Sequence, residues 1–400
     1  MSRPGLNSDA HRRARAARLA VAVIFFVNGF VFSSWVPHIP TVQGRLGISP
    51  GLLGLALLGC AAGAMVSMPL AGTLVARWGS RKLILGSSPV FCLLAALPVQ
   101  SSRLSLFALA LFVFGAANGA MNVAMNSHGV TVAERLDRPI LSSLHALASV
   151  GGLLGAAGSI VSLSFGLTPM AHMRGAIVLG LLLVGGAGGL LLPTSADRAR
   201  NRSTFAVPRG PLLLLGLMGF FTLMVEGAMA DWSAVYLHRL LKVRTHLSGA
   251  GYAVFSMAMA AGRLPGDRLV VAVGSVAVLR AGGLLAACGL GILGAALTLS
   301  HPAFAIIGFG CVGLGLSNII PMLFEAAGRT PGSAPGMAIS AVITAGYGGV
   351  VAGPPLIGFV ASSMGLPVAL GLLAVFLGVT AAGASFVRSP ARQPVPFPPP

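Results

Sequence analysis

Acid is what this chain has least of. It holds 8 Asp and Glu against 26 Lys and Arg in 400 residues, and charged residues of both signs make up only 8%. A soluble domain carries about 25% charged residues, so a water-facing globular surface is excluded. Cysteine is scarce as well. Cys60, Cys92, Cys288 and Cys311 stand singly inside apolar runs, with no C-x-x-C and no Cys/His metal spacing. They read as small helix-packing residues, and no cofactor or metal is expected. The chain also lacks a G-x-S-x-G elbow and a P-loop, which argues against an enzyme and against a nucleotide-driven pump.

What the chain has is apolar length: 56% of its residues are hydrophobic. Twelve runs approach or exceed the ~20 residues that cross a ~30 Å hydrocarbon core. They lie at 17–38, 50–75, 82–99, 104–132, 140–164, 172–193, 210–237, 248–271, 276–298, 302–327, 336–361 and 366–387. They lack the alternation of a barrel strand, and a bilayer accepts only helices or closed barrels. The fold class is therefore an all-α integral membrane protein. Its domains are a first bundle over 1–193, a polar linker over 194–209, a second bundle over 210–388 and a disordered Pro-rich tail over 389–400.

The net charge of +18 does not call for nucleic acid. The basic residues are scattered between spans, where they set orientation. Only Arg45, Arg103, Arg174, Arg239, Lys242 and Arg244 fall on the side away from the termini. Both termini are thus expected in the cytoplasm and the protein in the cell membrane. The locally basic loop 238–246 runs against this trend. Arg12, Arg13, Arg15 and Arg18 precede the first run as in a signal peptide, but the run continues to about Pro40 without a small-residue cleavage site. An uncleaved first span is the expectation.

The halves echo each other. Asn28-Gly29 is followed by Trp35, and 198 residues later Glu226-Gly227 is followed by Trp232. Gly151-x-x-x-Gly155 matches Gly349-x-x-x-Gly353 at the same offset, and Pro69 matches Pro265. Duplication of a six-span unit gives two six-helix bundles related by a pseudo-two-fold axis along the membrane normal, a layout of secondary transporters.

Between spans two and three runs Gly72-Thr73-Leu74-Val75-Ala76-Arg77-Trp78-Gly79-Ser80-Arg81-Lys82. This resembles the signature of the major facilitator superfamily, G-x-x-x-D-R-x-G-R-K. With the twelve spans and central linker, the resemblance covers essentially the whole chain. It implies a transporter that works by alternating access, with Gly72, Arg77, Gly79, Arg81 and Lys82 in a cytoplasmic gate loop. Ala76 stands where the family has Asp and Ser80 where it has Arg, which puts the family's gate contact in doubt here. Arg77, Arg81 and Lys82 can cap helix carbonyls or act only as topology signals. Span eleven, with Gly349, Gly353, Pro354, Pro355 and Gly358, resembles the Gly-Pro motif that family antiporters carry in span five. Packing or bending is its plainer reading.

Glu226 is the candidate for proton coupling. It falls about 22 Å into span seven, near the midplane. An ionised side chain there costs at least ~2.5–3.5 kcal/mol, and such residues face a cavity and carry function. Asp231 lies further out and is expected to pair with Arg239 or a helix end. Asn118, Asn122 and Asn126 share one face of span four at i, i+4, i+8 and offer donors and acceptors to a polar solute, or glue between helices. Asn28 and His145 join that set. Trp35, Trp232 and Tyr347 are cavity-wall candidates, with interfacial belt positions as the alternative. Arg263–Asp267 and Glu325–Arg329 are i, i+4 pairs at the cytoplasmic ends of spans eight and ten, read as gate contacts.

The function expected is proton-coupled transport of a small organic solute, as uptake of a polar, sugar-like metabolite or as drug or metabolite efflux. An uncoupled facilitator or a lipid-handling protein of the same fold is the alternative. A channel should show charge rings or a filter, and neither is present. The expected partners are the solute, H+ and the bilayer, with the protein acting as a monomer.

Overall fold

The computed structural model describes residues 4–138, 140–193, 210–330 and 335–387. The linker 194–209 and the tail 389–400 lie outside the described residues. The first half contains α1 (Pro4–Trp35), α2 (Ile39–Leu46), α3 (Pro50–Trp78), α4 (Ser80–Leu94), α5 (Leu97–Gln100), α6 (Leu104–Leu136), α7 (Leu141–Ser164) and α8 (Pro169–Gly188). The second contains α9 (Pro211–Val235), α10 (Ala250–Arg263), α11 (Gly266–Val273), α12 (Ser275–Thr298), α13 (Pro302–Leu316), α14 (Ile319–Gly328), α15 (Pro335–Met364) and α16 (Leu366–Ala382). No strand occurs among the described residues.

Helix starts follow local chemistry. Ser49 accepts from the Leu52 amide at 3.3 Å ahead of Pro50. Thr168 accepts from the Ala171 amide at 3.1 Å ahead of Pro169. A hydroxyl N-cap followed by proline satisfies one orphan donor and removes another.

Among the described residues, 11 helical stretches are long and apolar enough to cross a bilayer. The expected span eight differs. It is split into α10 and α11 at Leu264-Pro265, because proline has no N–H for the helical ladder. Span ten is similarly interrupted at Ser317-Asn318, between α13 and α14. There the Asn318 Nδ2 donates to the carbonyl of Gly262 at 2.9 Å, satisfying backbone next to the break in span eight. Span one overruns its expected end. A short 3-10 turn over Val36–His38 passes directly into α2, so Pro37 and Pro40 bend the helical path without ending it.

The packing repeats as the sequence does. In the first half α1 lies on α7 and α3 on α6; in the second α9 lies on α15 and α10 on α13. Matched glycines make the matched seams. A Cβ on Gly151 would collide with the Phe26 carbonyl of α1, and one on Gly349 with the Phe220 carbonyl of α9. Gly115 meets the Cys60 carbonyl, and Gly313, 198 residues later, meets that of Phe255. In a bilayer no hydrophobic force joins helices, so close approach at small residues supplies the dispersion contact that does. The turns ending α3 and α11 also match. Gly79 and Gly274 have φ of 83° and 86°, a left-handed region that glycine enters without a Cβ clash.

Candidate transport cavity

The halves meet along two seams, α3 with α15 and α7 with α10. Both reach the end away from the termini. There the backbone of Gly54 lies against the Pro354 carbonyl, and the Gly51 amide donates to Ser362 Oγ at 2.7 Å. Ser248 Oγ donates to the Pro37 carbonyl at 3.0 Å, and Gly249 sits against Pro37 and Ala156. The far parts of the central helical paths are buried with them, from Ser33 to Pro40 and from Trp232 to Leu237. Toward the terminus-bearing end the situation reverses. His145 is exposed although its ring contacts Phe25 of α1 edge-on at 5.1 Å and Asn126 of α6. A side chain so enclosed by helices and yet accessible lines an internal cavity, which is closed at the far end and open at the other.

The asparagines come together as the sequence pattern implied. Asn28 Nδ2 donates to Asn118 Oδ1 at 2.8 Å, tying α1 to α6. Asn126 Nδ2 donates to Asn122 Oδ1 at 3.0 Å, and its own Oδ1 lies 3.2 Å from His145 Nε2. Asn118, Asn122 and Asn126 are all half-buried, so each keeps polar capacity open to a solute. Arg263 extends this strip across the halves. Its Nη1 donates to Ser149 Oγ of α7 at 3.0 Å, and its Nε to the Ser317 carbonyl at 3.3 Å. Arg263 thus reaches α7 and the residue that follows α13, and the Asp267 side chain, its expected i, i+4 partner, lies outside the described residues.

The acids lie on α9 in the second half, five residues and about 140° apart. Glu226 is half-buried and makes no hydrogen bond or ion pair among the described residues. Its charge reaches the phenols of Tyr347 on α15 and Tyr252 on α10. Asp231 does not pair with Arg239. It is half-buried, and its charge reaches Tyr252 and Cys60 of α3 instead. Eight residues of helix separate Asp231 from Arg239 by about 12 Å along the axis, too far for the expected contact. Tyr252 lies close enough to Ser33 on α1 and Ser256 on its own helix for their side chains to interact. It thus stands near both halves. No local pattern announces this, because an all-apolar span does not declare which face meets its neighbours.

Two cavity-wall candidates lie elsewhere. Trp35 is buried against Phe107, ring centroids 6.0 Å apart, and Trp232 is buried with its indole N–H unpartnered among the described residues. Trp35 is taken up by that ring contact, and Trp232 lines a groove of about 490 Å³ at the far end, away from the asparagines.

The signature loop holds its position by capping. Arg81 points its guanidinium at the carbonyl of Gly188, the last residue of α8, at 3.5 Å, where a cation complements the helix dipole. Arg77 and Lys82 are exposed, Gly72 is half-buried, and Gly79 makes the turn. Ser80, one of the two departures from the family pattern, is buried with its Oγ 2.7 Å from His128 Nδ1. The Leu192 amide donates to His128 Nε2 at 3.2 Å, so Nδ1 carries the ring proton and donates to Ser80. An arginine would not fit this buried slot. At the end of span ten Glu325 and Arg329 form an ion pair at the surface.

A bundle of membrane-spanning helices around a cavity open at one end defines a multi-pass membrane transporter. The chain belongs to the major facilitator superfamily: residues 21–331 match the sequence model described as Major Facilitator Superfamily. It is 40% identical over 382 residues to an uncharacterised MFS-type transporter of Yersinia pestis, covering 96% of this chain and 98% of that one. It is 34% identical to the membrane protein MosC of Rhizobium meliloti, covering 94% and 92%. In fold it resembles a mutant form of the nucleoside transporter NupG, with a TM-score of 0.72 at 13% identity, covering 92% and 98%. It also resembles a mutant form of the E. coli fucose:proton symporter FucP, with a TM-score of 0.59 at 16% identity, covering 93% and 98%.

Proposed function

We propose that the protein moves a small polar organic solute across the cell membrane by alternating access and couples the movement to protons through Glu226. The single observation that carries this reading is the carboxyl of Glu226: mid-span, half-buried, and without an ionic partner among the described residues. A fixed counter-ion would hold such a group ionised; without one, proton binding and release can follow the cavity's exposure to each side. Asn28, Asn118, Asn122, Asn126 and His145 then contact the solute, and Tyr252 and Tyr347 link the acid to it. Two bundles, 1–193 and 210–388, rock about this site with both termini in the cytoplasm, and the monomer is the working unit.

A thermal-shift screen of the solubilised protein against sugars, amino acids, nucleosides and antibiotics finds the solute by mass action. Proteoliposomes then test the coupling. Wild-type protein is expected to accumulate that solute under an imposed pH gradient, whereas Glu226→Gln retains the thermal shift and loses accumulation. Accumulation by Glu226→Gln against a concentration gradient ends the coupling claim.

A further inference from the structure

Near the terminus-bearing end, α1 and α7 diverge. The resulting groove has a volume of about 590 Å³, and Arg15, Arg18 and Arg138 line it together with Leu19, Leu144 and Leu147. It is separate from the transport cavity. Leu147 lies two residues from His145, about 200° around α7, so the groove opens on the opposite face. That face continues as Leu147, Leu154 and Val161, at i, i+7 and i+14, with exposures of 38%, 47% and 54%. An exposed, wholly apolar stripe on a spanning helix faces acyl chains. Leu19 on α1 is 69% exposed beside it.

The groove therefore has a cationic rim and an apolar wall continuous with the lipid face. Arg15, Arg18 and Arg138 meet no acidic side chain among the described residues. Three guanidinium groups without acids form a bidentate donor set for phosphate oxygens, and the leucines below suit the first methylenes of an acyl chain. A free anion would use the rim and leave the wall bare.

We propose that this groove binds the headgroup of an anionic phospholipid from the leaflet on the terminus side. The lipid bridges α1 and α7 above their glycine seam. Its anionic charge meets the rim while its chains run down the Leu147 stripe.

Native mass spectrometry of the full chain in detergent tests this, with phosphatidylglycerol and phosphatidylcholine of matched chain length as probes. Phosphatidylglycerol adducts are expected to dominate and to survive excess inorganic phosphate. The Arg15→Gln/Arg18→Gln/Arg138→Gln variant is expected to lose that preference, by about fivefold for each arginine removed. Arg239→Gln/Arg244→Gln, at the other end, is expected to keep it. A melting temperature in phosphatidylcholine checks that the triple variant is folded; if it is not, Arg138→Gln alone, a change in a turn, decides by its smaller loss. Equal adducts of both lipids, an undiminished preference in the folded variants, or displacement by phosphate would each overturn the proposal.

Discussion

The two halves share a backbone plan and differ in the chemistry they place around the cavity. Gly151 and Gly349 make equivalent seams, Gly115 and Gly313 make another pair, and Gly79 and Gly274 turn the chain alike. Yet the first half contributes amides and an imidazole, Asn28, Asn118, Asn122, Asn126 and His145, while the second contributes Glu226, Asp231, Tyr252 and Tyr347. Helix seams are constrained by backbone contact, which tolerates only small residues. Cavity positions face open space and are free to diverge. Duplication thus supplied a symmetric frame, and the chemical asymmetry between the halves lies where packing exerts least control.

That comparison can be broken in stages. Largest in effect are the seams, where equivalence predicts equal damage. Gly151→Leu and Gly349→Leu each drive a side chain into a facing carbonyl, at or beyond the upper end of the ~1–3 kcal/mol typical of overpacking. Both should sharply reduce folded yield and melting temperature in detergent; a benign Gly349→Leu beside a ruinous Gly151→Leu would disprove their equivalence. Next comes the division of labour. Asn126→Ala removes the bonds to Asn122 and His145 and is expected to weaken solute binding about five- to tenfold, corresponding to ~1–1.4 kcal/mol, while the number of protons moved per solute stays as in wild type. Measured stoichiometry that falls with Asn126→Ala would place coupling in the first half as well. Smallest is the tryptophan pair. Trp35→Phe and Trp232→Phe trim buried rings and should shift the melting temperature by a few degrees with solute affinity unchanged, as ligand titration of each variant would report.

Much of the frame was legible in the sequence because lipid leaves few options. Long apolar runs must be helices, and the 198-residue echo picked out Gly151 and Gly349, which the structure places in the α1–α7 and α9–α15 seams. The breaks were harder to read. Pro37 and Pro40 are passed by a helical path, whereas Pro265 ends α10, since the neighbouring carbonyls decide whether a missing N–H can be borne. The site was legible where residues on one helix share a face, as with the asparagines. It was not legible where meaning depends on a distant helix. Tyr252 acquires its place from Ser33, and Arg263 from Ser149, 114 residues earlier. Trp35 and Trp232 misled because equivalent positions in a repeat indicate equivalent packing as readily as equivalent function.

The contact of Gly54 with Pro354 has a pharmacological consequence. Main chain lies against main chain there, so the seam itself has no gap between side chains, and the crevice at that end, about 490 Å³, lies beside it with Gln43, Pro50, Trp232 and Arg239 in its lining. An inhibitor arriving from that side meets this crevice, with Gln43 and Arg239 as its polar groups, and is kept from the cavity by the seam. The cavity is reached from the opposite end, where Asn126, His145 and Arg263 stand at the opening, so a compound aimed at these residues has to approach from the side that bears the termini.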